Sequence, residues 1–408
     1  MRNQLARKVL SSAVAGALSV VLAVSAGAYT FNYTVPDMRL PVAQSGDSAC
    51  PVPLHMPTSP GAVNRRWSTA LGVSPVTILT SDQTPSGRPA EIQNTILESF
   101  AVWTGVSGTA LIPASLAPLA STATQNACSS DGLNSICFDQ SDAGFTPGVL
   151  AFTRVISADH IGAQIGAGAP ATQIGQILDA DIYFNPQDSH TQFATPAALA
   201  SNPSAYDLES VLTHELGHFF GFSHSAVWSA MLFPYAPAPG TFTGSRPTAQ
   251  QPDAPLSDDD RTGLRVLYPD PADSVHIGEI SGRILPANPL SLPAAPGGVT
   301  GIYAAHVVAL DATSGSVIAG VLGGWSCSGA GPAQFDGSYL IAGLPVSPST
   351  AYKLYAEPLK GAVDPSSFVN ATQTVCRNAS TDPGWPATYS CVVPAVDTNF
   401  TARVLGSP

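Results

Sequence analysis

The residues with the clearest chemical capacity lie in one stretch, LESVLTHELGHFFGFSHSAVWSAMLFPY, residues 208–235. His214 and His218 are four positions apart, so on a helix their side chains stand on one face, a turn apart. Two imidazoles so placed can reach one metal ion, each at about 2.0–2.1 Å. Glu215 sits one residue along from the first, where it can serve a water at the metal without being a ligand. Gly221 stands where the helix must stop, because glycine accepts the left-handed backbone that such a stop requires. The chain can then double back and supply His224 as a third nitrogen. Three neutral nitrogens leave a fourth position open, the pattern of a catalytic rather than a structural zinc site. Only 8 histidines occur in the 408 residues, and His214, His218 and His224 are three of them.

This segment resembles the metzincin metallopeptidases, whose H-E-x-x-H-x-x-G-x-x-H motif precedes a methionine-bearing turn. Ser225, directly after the third histidine, is similar to the matrixin branch, which includes the matrix metalloproteinases. Further similarities spread over residues 62–270: Arg66-Trp67, the AVW ending at Trp103, the run ADIYF and the closing LSDDDRTGLRVLY. The resemblance implies one catalytic Zn2+ on His214, His218 and His224, with Glu215 as general base in peptide-bond hydrolysis. The partners it implies are protein or peptide substrates. It places the Met-turn at Ser229-Ala230-Met231, with Met231 packed beneath the metal as an apolar support. Pro234 and Tyr235 then fall at the wall of the pocket for the residue after the scissile bond.

Matrixins usually carry proline two residues after that methionine. Here Leu232 and Phe233 intervene, which reshapes the wall. Matrixins also hold a second, structural zinc upstream, for which His160 and His190 are too few, so a single zinc is expected. Calcium is the other ion to weigh, through Asp139, Asp142, Asp179 and Asp181, although acidic loop residues are more commonly just solvated. The rival reading, from a different class, is a secreted adhesion or matrix-binding protein with a catalytically silent metzincin domain. The presence of Glu215 argues against it.

Several elements must position these residues. Val76-Thr77-Ile78-Leu79 reads as a strand, and Ile92, Ile96, Phe100 and Trp103 recur at helical spacing after Pro89. ILDADIYF, 177–184, reads as a strand with Ile182 and Phe184 on one face. Asp207 can cap the helix that carries Leu208, Val211 and Leu212. Residues 235–256 read as a long loop, after which Ser257 and Asp260 open another helix with acidic residues in its first turn. The expected fold is an α+β metzincin catalytic domain, a mixed twisted sheet with an active-site helix.

Pro269-Asp270-Pro271 breaks the chain, and from Val275 only strand-like runs follow: VHIGEISGRIL, YAAHVVALDA, SVIAGVLGG, GSYLIAGLP, AYKLYAEPL and NFTARVL. Thr313-Ser314-Gly315 and Asp336-Gly337 are turn signals between them. Alternation of Tyr352, Leu354 and Ala356 with Lys353, Tyr355 and Glu357 fits a sheet with one buried face. An all-β sandwich over 275–408 is expected. GEISGRI, HVVALDATSGSVIAG and DGSYLIAGLPVSPSTAYKLYAEPL resemble the carboxypeptidase regulatory-like, transthyretin-like β-sandwiches. No catalytic constellation occurs there, which leaves a spacer or an adhesion module.

The chain holds 16 basic and 28 acidic residues, 11% charged, with 44% apolar. It is too apolar for a disordered chain and too acidic to neutralise a run of phosphates, so nucleic-acid binding is excluded. Arg2, Arg7 and Lys8 precede an apolar run from Val9 that closes Ala26-Gly27-Ala28, the form of a secretory signal peptide over residues 1–28. The alternative is a retained anchor; the small residues at its end favour cleavage. Removal leaves 13 basic against 28 acidic residues, a net charge of −15. No other stretch is long and apolar enough to span a membrane. A secreted, monomeric protein is expected.

Residues 29–61 read as an N-terminal extension or short pro-segment. Six cysteines in an exported chain suggest disulfides. Cys128 with Cys137 and Cys376 with Cys391 can pair locally, which leaves Cys50 and Cys327. Cys50 is either a disulfide partner or a zinc-blocking propeptide thiol. Asn32, Asn370, Asn378 and Asn399 begin N-x-S/T triplets, which matter only in a glycosylating host.

Overall fold

The computed structural model describes residues 31–34, 63–70, 76–80, 84–111, 120–121, 128–138, 145–166, 168–186, 192–241, 254–288, 300–326, 335–359 and 400–405. The signal segment 1–28, Cys50, Cys327 and the Cys376–Cys391 pair lie outside the described residues. The elements of the first region are β1 (Tyr33–Thr34), β2 (Val63–Asn64), β3 (Val76–Thr80), α1 (Pro89–Thr104), β4 (Ala120–Ser121) and β5 (Asn134–Cys137). They continue through β6 (Ala151–Ser157), β7 (Ile177–Phe184), β8 (Phe193–Ala194), α2 (Pro196–Leu199), β9 (Tyr206–Asp207), α3 (Leu208–Phe219) and α4 (Asp258–Leu267). Six strands follow: β10 (Gly278–Arg283), β11 (Ala305–Asp311), β12 (Val317–Gly323), β13 (Ser338–Leu344), β14 (Tyr352–Glu357) and β15 (Arg403–Leu405).

Strands β4-β3-β5-β7-β6 form a five-stranded sheet, parallel except for β6, which runs antiparallel to β7 along the edge. Nearly every residue of β7 is buried, as in a strand covered on both faces. Helix α3 crosses β6 and β7, and α1 packs on α3. Ile92, Ile96, Phe100 and Trp103 are the buried stripe of α1, at the helical spacing expected of them.

Helix α3 is held at both ends. The Asp207 carboxylate accepts from Ser210 N at 2.9 Å, the cap expected there. The far end is buried, so its carbonyls need donors. Leu216 O accepts from Phe220 N, Gly217 O from Phe222 N, and His218 O from Gly221 N. Phe219 O accepts from Trp67 Nε1 at 2.9 Å and Phe220 O from the Tyr268 hydroxyl at 2.7 Å. Gly221 O accepts from Asn32 N at 2.8 Å, and Phe222 O from the Asn32 side-chain amide at 2.7 Å. Residues 31–34, in the extension, are therefore part of the packing around α3. The Phe31 ring also lies edge-on to Phe222, 5.4 Å between centroids.

Gly221 has φ +104, and a Cβ there would lie 2.2 Å from Arg65 O. The chain reverses here because only glycine fits both the backbone angle and the carbonyl beside it.

In the second region β12-β11-β14-β15 form one antiparallel sheet and β10-β13 a separate pair. Their strands coincide with the apolar runs after Val275. At the Thr313-Ser314-Gly315 turn, Asp311 accepts from Thr313 N and Ser314 N, and Gly315 takes φ +75. Helix α4 packs on β12 and β13. One contiguous apolar core joins the two regions, from Leu216 and Phe219 through Leu264 and Leu267 to Val307, Ala319 and Ile341. Among the described residues no helix is long and apolar enough to cross a membrane.

Replacement of Gly221 by alanine should destabilise the protein by at least about 1–3 kcal/mol, the cost of a non-glycine residue in such a conformation. Urea unfolding of the wild type and Gly221→Ala measures it; equal midpoints would show that the turn is not held as described.

Candidate metal and catalytic site

The three histidines meet at the C-terminal half of α3. His214 and His218 present Nε2 atoms 3.2 Å apart. One ligand atom from each of His214, His218 and His224 lies within 4.8 Å of the others, the only such convergence of metal-ligating side chains among the described residues. Their tautomers decide what the nitrogens can do. His214 Nδ1 lies 2.8 Å from Met231 O, and His218 Nδ1 lies 3.0 Å from Phe222 O. A carbonyl only accepts, so each Nδ1 carries the proton and donates. Both Nε2 atoms therefore face each other with lone pairs, which repel unless a cation lies between them. Tetrahedral ligands at about 2.0–2.1 Å from an ion stand roughly 3.3 Å apart, which the pair matches.

Burial keeps these imidazoles neutral. It lowers His214, and it lowers His218 to about 3, with the neighbouring His214 adding to the effect. The carbonyl partners orient the rings in the manner of outer-shell groups at metal sites. The donor set thus fits Zn2+: three converging imidazoles, two of them neutral and fixed in tautomer, with a fourth position open.

Glu215 is buried beside them. Burial pushes its carboxyl up to about 7, against the opposing hydrogen bond from Thr153. The Thr153 hydroxyl, on edge strand β6, lies 2.7 Å from Glu215 Oε2 and 3.0 Å from Glu215 O. It has one proton to donate, and the charged oxygen is the nearer acceptor. Thr153 carried no signal in the sequence, where nothing about residues 151–157 marks them as neighbours of the histidine helix.

The turn after His224 is clamped from α4. Asp260 accepts from Met231 N at 2.8 Å and Leu232 N at 3.3 Å, besides Ser257 N at 2.9 Å and its hydroxyl at 2.7 Å. Burial raises its carboxyl, and these donors pull the other way. Asp259 accepts from the Ser225 hydroxyl at 2.7 Å, and Ser225 N donates to Leu232 O at 2.8 Å. Leu232 is the side chain pressed against α3: a Cβ on Gly217 would fall 2.3 Å from Leu232 Cδ2. Leu232 is fully buried, whereas Met231 is 9% exposed within the same core and offers its carbonyl to His214. The support expected of Met231 is thus shared, with Leu232 making the contact at Gly217.

Of the residues expected at the pocket wall, Tyr235 is 50% exposed, and its ring lies 5.8 Å from that of Phe233. Pro234 is half-buried between them in sequence. The Trp228 ring, 76% exposed, lies 4.8 Å from that of Phe233 and adds an aromatic surface to this loop. Of the calcium candidates, Asp139 and Asp142 lie outside the described residues. Asp179 and Asp181 lie in β7 and accept from Gly132 N at 3.0 Å and Ser135 N at 2.9 Å. His160 pairs with Asp159, and His190 lies outside the described residues. Cys128 and Cys137 are bonded as a disulfide that packs on Tyr183.

Residues 161–269 match the Matrixin peptidase family. The matched stretch takes in β7, α3, the three histidines and α4. The chain is also similar to metalloendoproteinase 1-MMP of Arabidopsis thaliana, 36% identical over 99 residues, which are 22% of this chain and 24% of that protein. The chain thus spans about a quarter of the length of the curated relative it matches.

Leu232→Ala should leave a cavity under the histidines and cost about 2–5 kcal/mol. Met231→Leu, a swap of similar volume, should cost less than about 1.5 kcal/mol. Denaturant midpoints of both variants check the assignment, and a reversed order would return the supporting role to Met231.

Proposed function

We propose that the protein is an exported zinc endopeptidase, with His214, His218 and His224 as metal ligands and Glu215 as general base. The observation that carries this is the convergence of three imidazoles, two with their lone pairs already directed inward, beside a buried glutamate on the same helix. The Matrixin match over the same segment, and the relative named a metalloendoproteinase, support it.

Zn2+, when bound, supplies a Lewis acid that polarises the scissile carbonyl and lowers the pKa of water towards ~7. The protein's own groups do the rest. Glu215 takes the proton of the attacking water and delivers it to the leaving amine. Thr153 holds one oxygen of that carboxylate, so the other keeps its aim. β6 is the edge strand next to Glu215, and an extended peptide can pair along such an edge. Trp228 and Tyr235 flank the same loop as exposed aromatic surfaces for substrate side chains.

Residues 1–28 serve as the signal peptide, 62–270 as the catalytic unit, and 275–408 as a β-sandwich. The Cys128–Cys137 bridge accords with an oxidising compartment. Within 29–61, at least residues 31–34 stay with the mature enzyme, because Asn32 serves the carbonyls of Gly221 and Phe222.

Glu215→Ala should retain one zinc per chain yet lose about 10²–10⁴-fold in kcat on a peptide library, and a hydroxamate chelator should block the wild type. Binding of matrix protein by the wild type without cleavage would instead establish the adhesion reading. Thr153→Val should lower kcat about tenfold at unchanged KM, the effect of one hydrogen bond to a charged group, with Thr153→Ser restoring it. Unaltered kcat in Thr153→Val would remove that residue from the mechanism while leaving Glu215 in place.

A further inference from the structure

Asp259 is fully buried in the first turn of α4, and its two carboxylate oxygens serve different parts of the molecule. Oδ2 accepts from the Ser225 hydroxyl at 2.7 Å, next to ligand His224. Oδ1 accepts from Gly320 N at 2.7 Å, in β12. β12 is an edge strand of its sheet, paired on its other side with β11, where Gly320 faces Val308. A buried edge N–H needs an acceptor, and here the acceptor is the carboxylate that also fixes the histidine loop.

Ser225 spreads the tie along that loop. Its hydroxyl accepts from Val227 N at 3.1 Å and its N donates to Leu232 O at 2.8 Å, so both arms of the turn meet at this residue. The loop's far end is held from the same side. Phe233 is buried in a cluster with Tyr303, Ala304, Leu322 and Leu359, all from the second region. A hydrogen-bonded charge at the root and an aromatic anchor at the tip are independent contacts to one sheet.

On the zinc-peptidase reading, we propose that the C-terminal sheet is a working part of the metal site, with Asp259 as the positioning residue that couples β12 to the loop carrying His224. Loading of the site orders the Ser225–Leu232 loop, which holds Asp259 in place, which in turn protects the Gly320 amide. The coupling is reciprocal: a sheet edge that stays closed keeps the third ligand seated. This assigns the second region a role distinct from spacer or adhesion module.

Hydrogen exchange read by mass spectrometry on the full-length protein tests it, with metal stripped by a chelator and zinc then restored. Zinc should slow exchange in the peptide covering 317–323 on the order of tenfold, the protection one charge-assisted hydrogen bond confers. In Asp259→Ala, which removes both oxygens, that response should vanish while the α3 peptide still responds. Ser225→Ala, which severs the tie at the loop and leaves Gly320 its acceptor, should behave the same way should Asp259→Ala not fold. Slowing in α3 but not in 317–323 of the wild type would overturn the coupling and leave the zinc reading intact. An undiminished response at 317–323 in Ser225→Ala would overturn it too. No response in either peptide would overturn both readings.

Discussion

A helix that ends inside a protein must find a donor for each of its last carbonyls, and this requirement shapes the region around α3. Two of the three converging histidines lie on that helix, the second in its final turn, so the helix cannot end in solvent without exposing them. The donors come from far apart in the chain: Asn32, Trp67, Tyr268 and the His218 ring itself. Gly221 makes the arrangement sterically feasible by letting the chain reverse against Arg65. The extension, the strand before the sheet and the end of α4 are drawn together at this one helix terminus.

The same economy governs the loop that returns with His224. Two neighbouring aspartates in the first turn of α4 would repel each other in water. Here each is surrounded by donors: four on Asp260, and the Ser225 hydroxyl and Gly320 amide on Asp259. Hydrogen bonds to charged groups are the strong ones, and buried charges persist only when satisfied in this way. The cost is that α4, the histidine loop and the C-terminal sheet cannot be rearranged independently. The histidine loop is then as rigid as the core it is fastened to, as the proposed metal site would require of its ligands.

Much of this was legible along the chain because it is local. The α1 stripe, the Asp207 and Ser257 caps, the β7 run and the strands after Val275 follow from period, capping and turn chemistry, which act over a few residues. The histidine spacing is likewise a one-turn relation on one helix. Thr153 illustrates what is not local. Its hydroxyl matters only because β6 runs antiparallel to β7 beneath α3, a pairing that no window of sequence reveals. Leu232 is similar: methionine and leucine stand side by side, and which of them meets Gly217 depends on how the turn is hung from Asp260.

The amino-acid sequence by itself determined the chemistry available at the site: two imidazoles and a carboxylate at helical spacing, a glycine where the helix must stop, a third imidazole just beyond it, and the acidic first turn of the next helix. Residue type and short-range geometry suffice for that, since a helix imposes its own periodicity. Only the tertiary structure decided which nitrogen of His214 and His218 points inward, which oxygen of Glu215 is held, and what the two oxygens of Asp259 bind. Each of those depends on a hydrogen-bond partner brought from a distant segment, from Met231 and Phe222 to Thr153 and Gly320. Burial makes such partners obligatory, and only the folded chain determines which groups become buried together.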